Sequence, residues 1–126
     1  MANPNIAALT SVLGETTGIL LTTTTNTLII NNPAASGNVL KINTIKATNV
    51  NISANSSVFL NWHDEDDIGG TAFILVHNLF VNARNTRDLL EEGYSFYLTE
   101  NRSISVRAGL VDSLEISASY DIITDV

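Results

Sequence analysis

From Gly18 to the C-terminus the apolar positions recur every second residue, the period of a β-strand rather than a helix. The clearest case lies near the end. Leu114, Ile116, Ala118, Tyr120 and Ile122 fall on one face, and Glu115, Ser117, Ser119 and Asp121 on the other. Just before it, Ile104, Val106 and Ala108 alternate with Ser103, Ser105 and Arg107. Strict alternation puts one face in a core and the other against water or a partner. The segment 109–113 between them reads as a turn, so these two strands are expected to form a hairpin. Less regular strands are predicted over 18–22, 27–31, 39–50, 57–63, 71–80, 88–90 and 95–98. Loops rich in Asn, Asp, Ser, Pro and Gly separate them at 31–37, 51–55 and 64–70, with a tight turn at 91–93. Short strands with a turn signal about every ten residues predict an all-β fold, an antiparallel β-sandwich. Ig-like and jelly-roll connections both fit the pattern.

The first seventeen residues break the period. Asn3-Pro4 suits the opening of a short helix and Gly14 its close, with Ile6, Leu9 and Leu13 on one face. So short a helix is marginal by itself. The expected division is therefore an N-terminal arm over 1–17 and a sandwich domain over 18–126. The arm is either mobile or ordered against a neighbouring subunit. In the second case Pro4, Ile6, Leu9 and Leu13 are its bridging residues.

Composition narrows the partners. The chain has 126 residues, six basic and thirteen acidic, for a formal charge of −7. Nucleic acid and anionic membrane both call for clustered Lys and Arg, so neither is expected as a partner. The longest apolar runs, such as Phe73-Ile74-Leu75-Val76, fall far short of the ~20 residues that span a bilayer. The N-terminus lacks the basic and apolar regions of a secretion signal, which predicts synthesis and folding in a cytoplasm. The chain has no cysteine, so disulfide, thiolate-metal and thiol chemistry are all ruled out. Charged residues make up 15%, against about 25% in ordinary soluble domains. Their place is taken by 14 Thr, 15 Asn and 11 Ser, residues of strands and turns. A neutral polar face of this kind is desolvated at less cost than one covered in Lys and Glu, which suits burial in an assembly.

Few residues offer chemistry. Asp64, Glu65, Asp66 and Asp67 form a candidate weak calcium loop. With Asp64 as position one, Gly69 falls at six, but five is Ile68 and twelve is Leu75, so the EF-hand template fails. The plainer reading is a charged hairpin loop that turns at Gly69-Gly70. His63 and His77 are candidates to face each other across that hairpin, with a loop carboxylate as third metal ligand. Otherwise each is a residue of the sheet margin. No Gly-x-Ser-x-Gly elbow and no Gly-rich phosphate loop occurs, and the adjacent Glu91 and Glu92 point apart in an extended chain. The chain is therefore not expected to be an enzyme, and no cofactor or metal is expected. Trp62 and Tyr94 are candidates to stack a sugar, although Trp62 alternates with Val58 and Leu60 as a core residue does.

The run Tyr97-Leu98-Thr99-Glu100-Asn101-Arg102-Ser103-Ile104, followed by Val106-Arg107-Ala108 and Leu114-Glu115-Ile116-Ser117-Ala118-Ser119-Tyr120, resembles small virion structural proteins of tailed phages of the cyanophage and marine-phage type. Gly37-Asn38-Val39-Leu40-Lys41-Ile42-Asn43 and Ala47-Thr48-Asn49-Val50 are similar to an upstream strand of that family. Asn101 stands where the family has Gly, and Asn is the next best residue for a left-handed turn. The resemblance implies a virion protein made in the host cytoplasm, and carries over no site residues. The expected role is a capsid decoration or cement protein. It would bridge major capsid subunits on the outside of the head and associate with itself, the expected assembly being a homotrimer. A neck, collar or tail component is the alternative within the virion. A carbohydrate-binding module, with Trp62, Tyr94 and the acidic loop as its site, is the alternative outside that class.

Overall fold

A computed structural model describes residues 11–91 and 95–124. Among these the chain forms nine strands and no helix. They are β1 (Ser11–Leu20), β2 (Thr27–Asn32), β3 (Asn38–Asn49), β4 (Ser56–His63), β5 (Ala72–Val81), β6 (Thr86–Asp88), β7 (Phe96–Leu98), β8 (Arg102–Ala108) and β9 (Leu114–Thr124). One sheet runs β1-β9-β3-β6, with β7 also paired to β3; the other runs β2-β8-β4-β5. All the pairings are antiparallel. The fold is a β-sandwich.

The order of pairing selects between the two candidate topologies. β1 pairs with β9, β2 with β8, β3 with β6 and β7, and β4 with β5. Counting β6 and β7 as two halves of one interrupted strand, the chain is a long hairpin rolled across two sheets, which is a jelly roll. Among the described residues only the β4–β5 connection is a hairpin within one sheet. The hairpin expected at 109–113 does not form: β8 lies between β2 and β4, and β9 between β1 and β3 in the other sheet. Alternation says which face of a strand is buried but not which strand lies beside it. The connection crosses between the sheets. Gly109 donates to the Ser57 carbonyl at 2.9 Å and Asp112 to that of Leu21 at 2.9 Å. A Cβ at Gly109 would strike the Ser57 hydroxyl, which would have to rotate away.

The arm boundary also moves. Ser11 to Leu20 pair residue by residue with Thr124 to Glu115 of β9. Leu13 and Gly14 are therefore sheet residues, and the expected helix does not reach them. Leu13 lies opposite Ile122 and shares its face with Glu15, Thr17 and Ile19 on the two-residue period. Pro4, Ile6 and Leu9 lie outside the described residues.

The core fills the space between the sheets. Ile42, Ile45 and Ala47 of β3 and Leu114, Ile116 and Ala118 of β9 face Val58 and Leu60 of β4 and Ile104, Val106 and Ala108 of β8. All are buried. β3 keeps its inner face across a bulge between Ile42 and Thr44.

Two buried asparagines tie the strand ends. Asn32 donates to the Asn38 carbonyl at 3.0 Å and the Leu98 carbonyl at 2.9 Å, and its Oδ1 accepts from Ser36. Asn49 donates to the Ala54 and Val81 carbonyls, each at 2.9 Å, and accepts from the Asn51 amide at 2.9 Å. Each joins a connection to the strand ends of the opposing sheet. These residues carry interior hydrogen bonds that the turn chemistry of the sequence did not suggest.

Candidate functional site

The acidic loop is built into the sheet it adjoins. It lies over the outer face of β8 and is held by side chains from three elements. The Ile68 amide donates to Ser103 Oγ at 2.9 Å, and that hydroxyl donates to the Glu65 carbonyl at 2.8 Å. The Asp66 amide donates to Asn101 Oδ1 at 3.2 Å, and the Asp67 amide to Asn31 Oδ1 at 2.8 Å. Two of the four carboxylates act as acceptors for backbone. Asp64 Oδ1 accepts from the Thr71 amide at 2.7 Å, and Asp66 Oδ2 from the Ala34 amide at 3.1 Å. Among the described residues no three His, Asp or Glu side chains converge as a metal site needs, so Asp64, Glu65, Asp66 and Asp67 are adjacent in sequence without being gathered in space. Gly70 takes a φ of +64° where a side chain would collide with Asp64, and Asp67 and Ile68 are also left-handed. Asn101 adopts a φ of +58°, the conformation expected for it, and its side chain also anchors the loop.

The loop buries His63. Its Nε2 lies 2.7 Å from Ser105 Oγ, and its Nδ1 is buried without a hydrogen-bond partner. Burial holds the ring pKa below the usual histidine value. The Gly69 carbonyl and the Asp64 carboxylate both favour the charged ring, but desolvation outweighs them. His63 and His77 do not meet. His63 sits opposite Ala72, whereas His77 lies edge-on to Phe59 at 5.5 Å, four positions up β4. Bulges in β5 opposite Phe59 and beside Asn61 shift the register that the sequence left open.

Trp62 is half-buried and packs against Phe73 at 5.0 Å, with the Arg102 guanidinium 6.0 Å from its ring. It borders the core, as the alternation with Val58 and Leu60 predicts. Tyr94 lies outside the described residues.

What stands out is the sheet edges. β1 closes one flank of the sandwich, and β5 the opposite flank. Both are ten-residue strands with one side unpaired among the described residues. On β1, Leu13 and Ile19 face inward yet remain 58% and 39% exposed. A cleft of about 100 Å³ between Ile19 of β1 and Leu28 and Ile29 of β2 leaves the sandwich open on this side. Glu15 also faces inward, toward Tyr120, whose pKa is raised by burial and then by this carboxylate. On β5, Phe73, Ile74 and Phe80 are 48%, 62% and 60% exposed. Arg87 reaches across from β6 and donates to the Phe80 carbonyl at 3.3 Å. The sequence shows Phe73-Ile74-Leu75-Val76 as a strand, but not as an edge, because neighbour identity is a property of topology.

No protein-family model matches the chain, and no curated protein does. Among solved structures it is similar to one described in the words "Bacillus endospore appendages form a novel family of disulfide-linked pili". The two align over 99% of each chain with 13% identity and a TM-score of 0.49.

Proposed function

We propose that this chain is a structural subunit that works by assembly, and specifically a virion structural protein that decorates the head of a tailed phage. The phage assignment draws on the likeness of 37–50 and 97–120 to that family of virion proteins. The observation that carries the assembly role is the concentration of exposed, large apolar side chains on the two edge strands. Soluble monomers expose such residues singly, and natural edge strands are usually protected by charge, proline or cover. Here β1 holds one charged residue, Glu15, and β5 holds none.

The mechanism is binding free energy rather than turnover. A subunit that binds only the assembled shell shifts the equilibrium toward that shell. Many copies, each bridging two major capsid subunits, multiply a modest affinity. Residues 1–10 are the proposed bridging arm, with Pro4, Ile6 and Leu9 as its contacts and Leu13 at its root in β1.

The test is copy number. The purified particle is digested, and this chain is quantified against the major capsid protein by mass spectrometry. Hundreds of copies per particle are expected for decoration. A dozen or so would move the chain to the neck, collar or tail. Absence from the particle would overturn the virion reading.

A further inference from the structure

We propose that copies of this chain associate head to tail, the β1 flank of one packing against the β5 flank of the next. The inference deepens the assembly role proposed above by naming the surfaces through which the subunit meets itself.

Three observations favour a second copy as the occupant of both edges. The first is placement. β1 and β5 lie on opposite flanks of one sandwich, so each copy presents one edge of each kind. A contact between unlike edges is heterologous and repeats, closing into a ring when the rotation permits. The second is match. Both edges are ten residues long, and both carry half-exposed apolar side chains, Leu13 and Ile19 on one and Phe73, Ile74 and Phe80 on the other. The third is charge. The β1 flank carries Glu15, which is exposed opposite Tyr120. The C-terminal end of the β5 flank carries Arg87, at the Phe80 carbonyl, and Arg84 in the connection to β6, both exposed. Asp88, 3.9 Å from Lys46, and the nearby Glu91 are acids of that flank, outnumbered by Arg84, Arg87 and Lys46. Unlike flanks therefore attract, whereas two β1 flanks brought together would repel through their carboxylates.

The β5 ladder is interrupted by two register shifts, and Asn78 has a φ of +52°. A continuous sheet across the contact is thus not required. Side chains at the two ends of β5 carry it, Phe73 with Ile74 at one end and Phe80 at the other.

The experiment uses the full chain and two variants, Leu13→Asp and Ile74→Asp, read by native mass spectrometry and light scattering. Both positions are exposed, and circular dichroism verifies that each variant keeps the fold. Wild type is expected to assemble. Each variant alone is expected to be monomeric, with association weakened by roughly 30-fold or more, the size of a hot-spot loss. Mixed together, they are expected to form a one-to-one dimer that grows no further, because the intact β5 flank of one meets the intact β1 flank of the other. Persistent assembly of either variant, or no dimer in the mixture, would overturn the proposal. A wild-type chain that stays monomeric yet binds particles would overturn edge pairing and leave the structural role standing. A chain that assembles through these edges but is absent from particles would do the reverse.

Discussion

Asn49 illustrates how much single side chains contribute to this fold. Its amide group satisfies two carbonyls, of Ala54 and Val81, and its oxygen satisfies the Asn51 amide. Replacing it with alanine leaves these groups unpaired, the Val81 carbonyl in a buried place and the other two in partly buried ones. The expected cost of Asn49→Ala is roughly 2–4 kcal/mol, since each orphaned buried group costs about 1–3. Urea unfolding measures it; a loss under about 0.5 kcal/mol, as at an ordinary surface site, would contradict the role assigned here. His63 makes stability depend on pH. The fold holds its pKa below 6.5, so just below that pH the unfolded chain binds more protons than the folded one. Its contribution is fully present above pH 6.5 and is lost as the pH falls through the folded-state value. Unfolding midpoints should therefore decline between about pH 7 and about pH 5, above the carboxylate range, and His63→Gln should flatten that slope. An unchanged slope in the variant would assign the decline to other groups. Neither residue announces its role in the sequence. Asn49 is one of fifteen asparagines and falls near the end of a predicted strand with nothing to set it apart, and the alternation of β4 puts His63 on the outer face. Only the loop folded over that face buries it.

At the scale of elements, the strands were legible and their neighbours were not. The two-residue period placed β2, β3, β4 and β9 within a residue or two of their observed ends, because burial of alternate side chains is written into local sequence. Sheet membership depends on contacts between distant residues, which explains why the expected 109–113 hairpin proved to be a crossing. The N-terminal boundary matters most for experiment. Removing residues 1–10 leaves all of β1, whereas removing 1–17 strips seven of its ten register pairs and uncovers the edge of β9. The shorter truncation is expected to keep the wild-type melting temperature and to lose binding to heads. The longer one is expected to melt at a lower temperature. Full head binding by the 1–10 truncation would sink the arm's role, and equal melting of the two would sink the placement of the boundary.

For the molecule as a whole, the candidate chemistry and the exposed surface point in different directions. The acidic run and the histidine pair drew attention in the sequence because such residue types bind metals; here Asp64 and Asp66 accept backbone bonds within and beside the loop, His63 lies beneath it, and His77 packs against Phe59. The candidate surface is instead made of ordinary Leu, Ile and Phe residues, unremarkable until topology puts their strands at the rims. The same rolled topology governs how the chain reaches its fold. Ser11 lies opposite Thr124, so the outermost pair of strands joins the beginning of the described chain to its end. As the chain leaves the ribosome, β1 emerges about a hundred residues before its partner and waits without one. β2 waits likewise for β8, β3 meets β6 and β7 about forty to fifty residues on and β9 only at the end, and the β4–β5 hairpin closes first. Loop closure of this length makes folding slow and leaves apolar strands open in the meantime. Synthesis rate and local chaperone supply then become determinants of yield, and a cell making many copies at once meets its risk of aggregation before the last strand arrives.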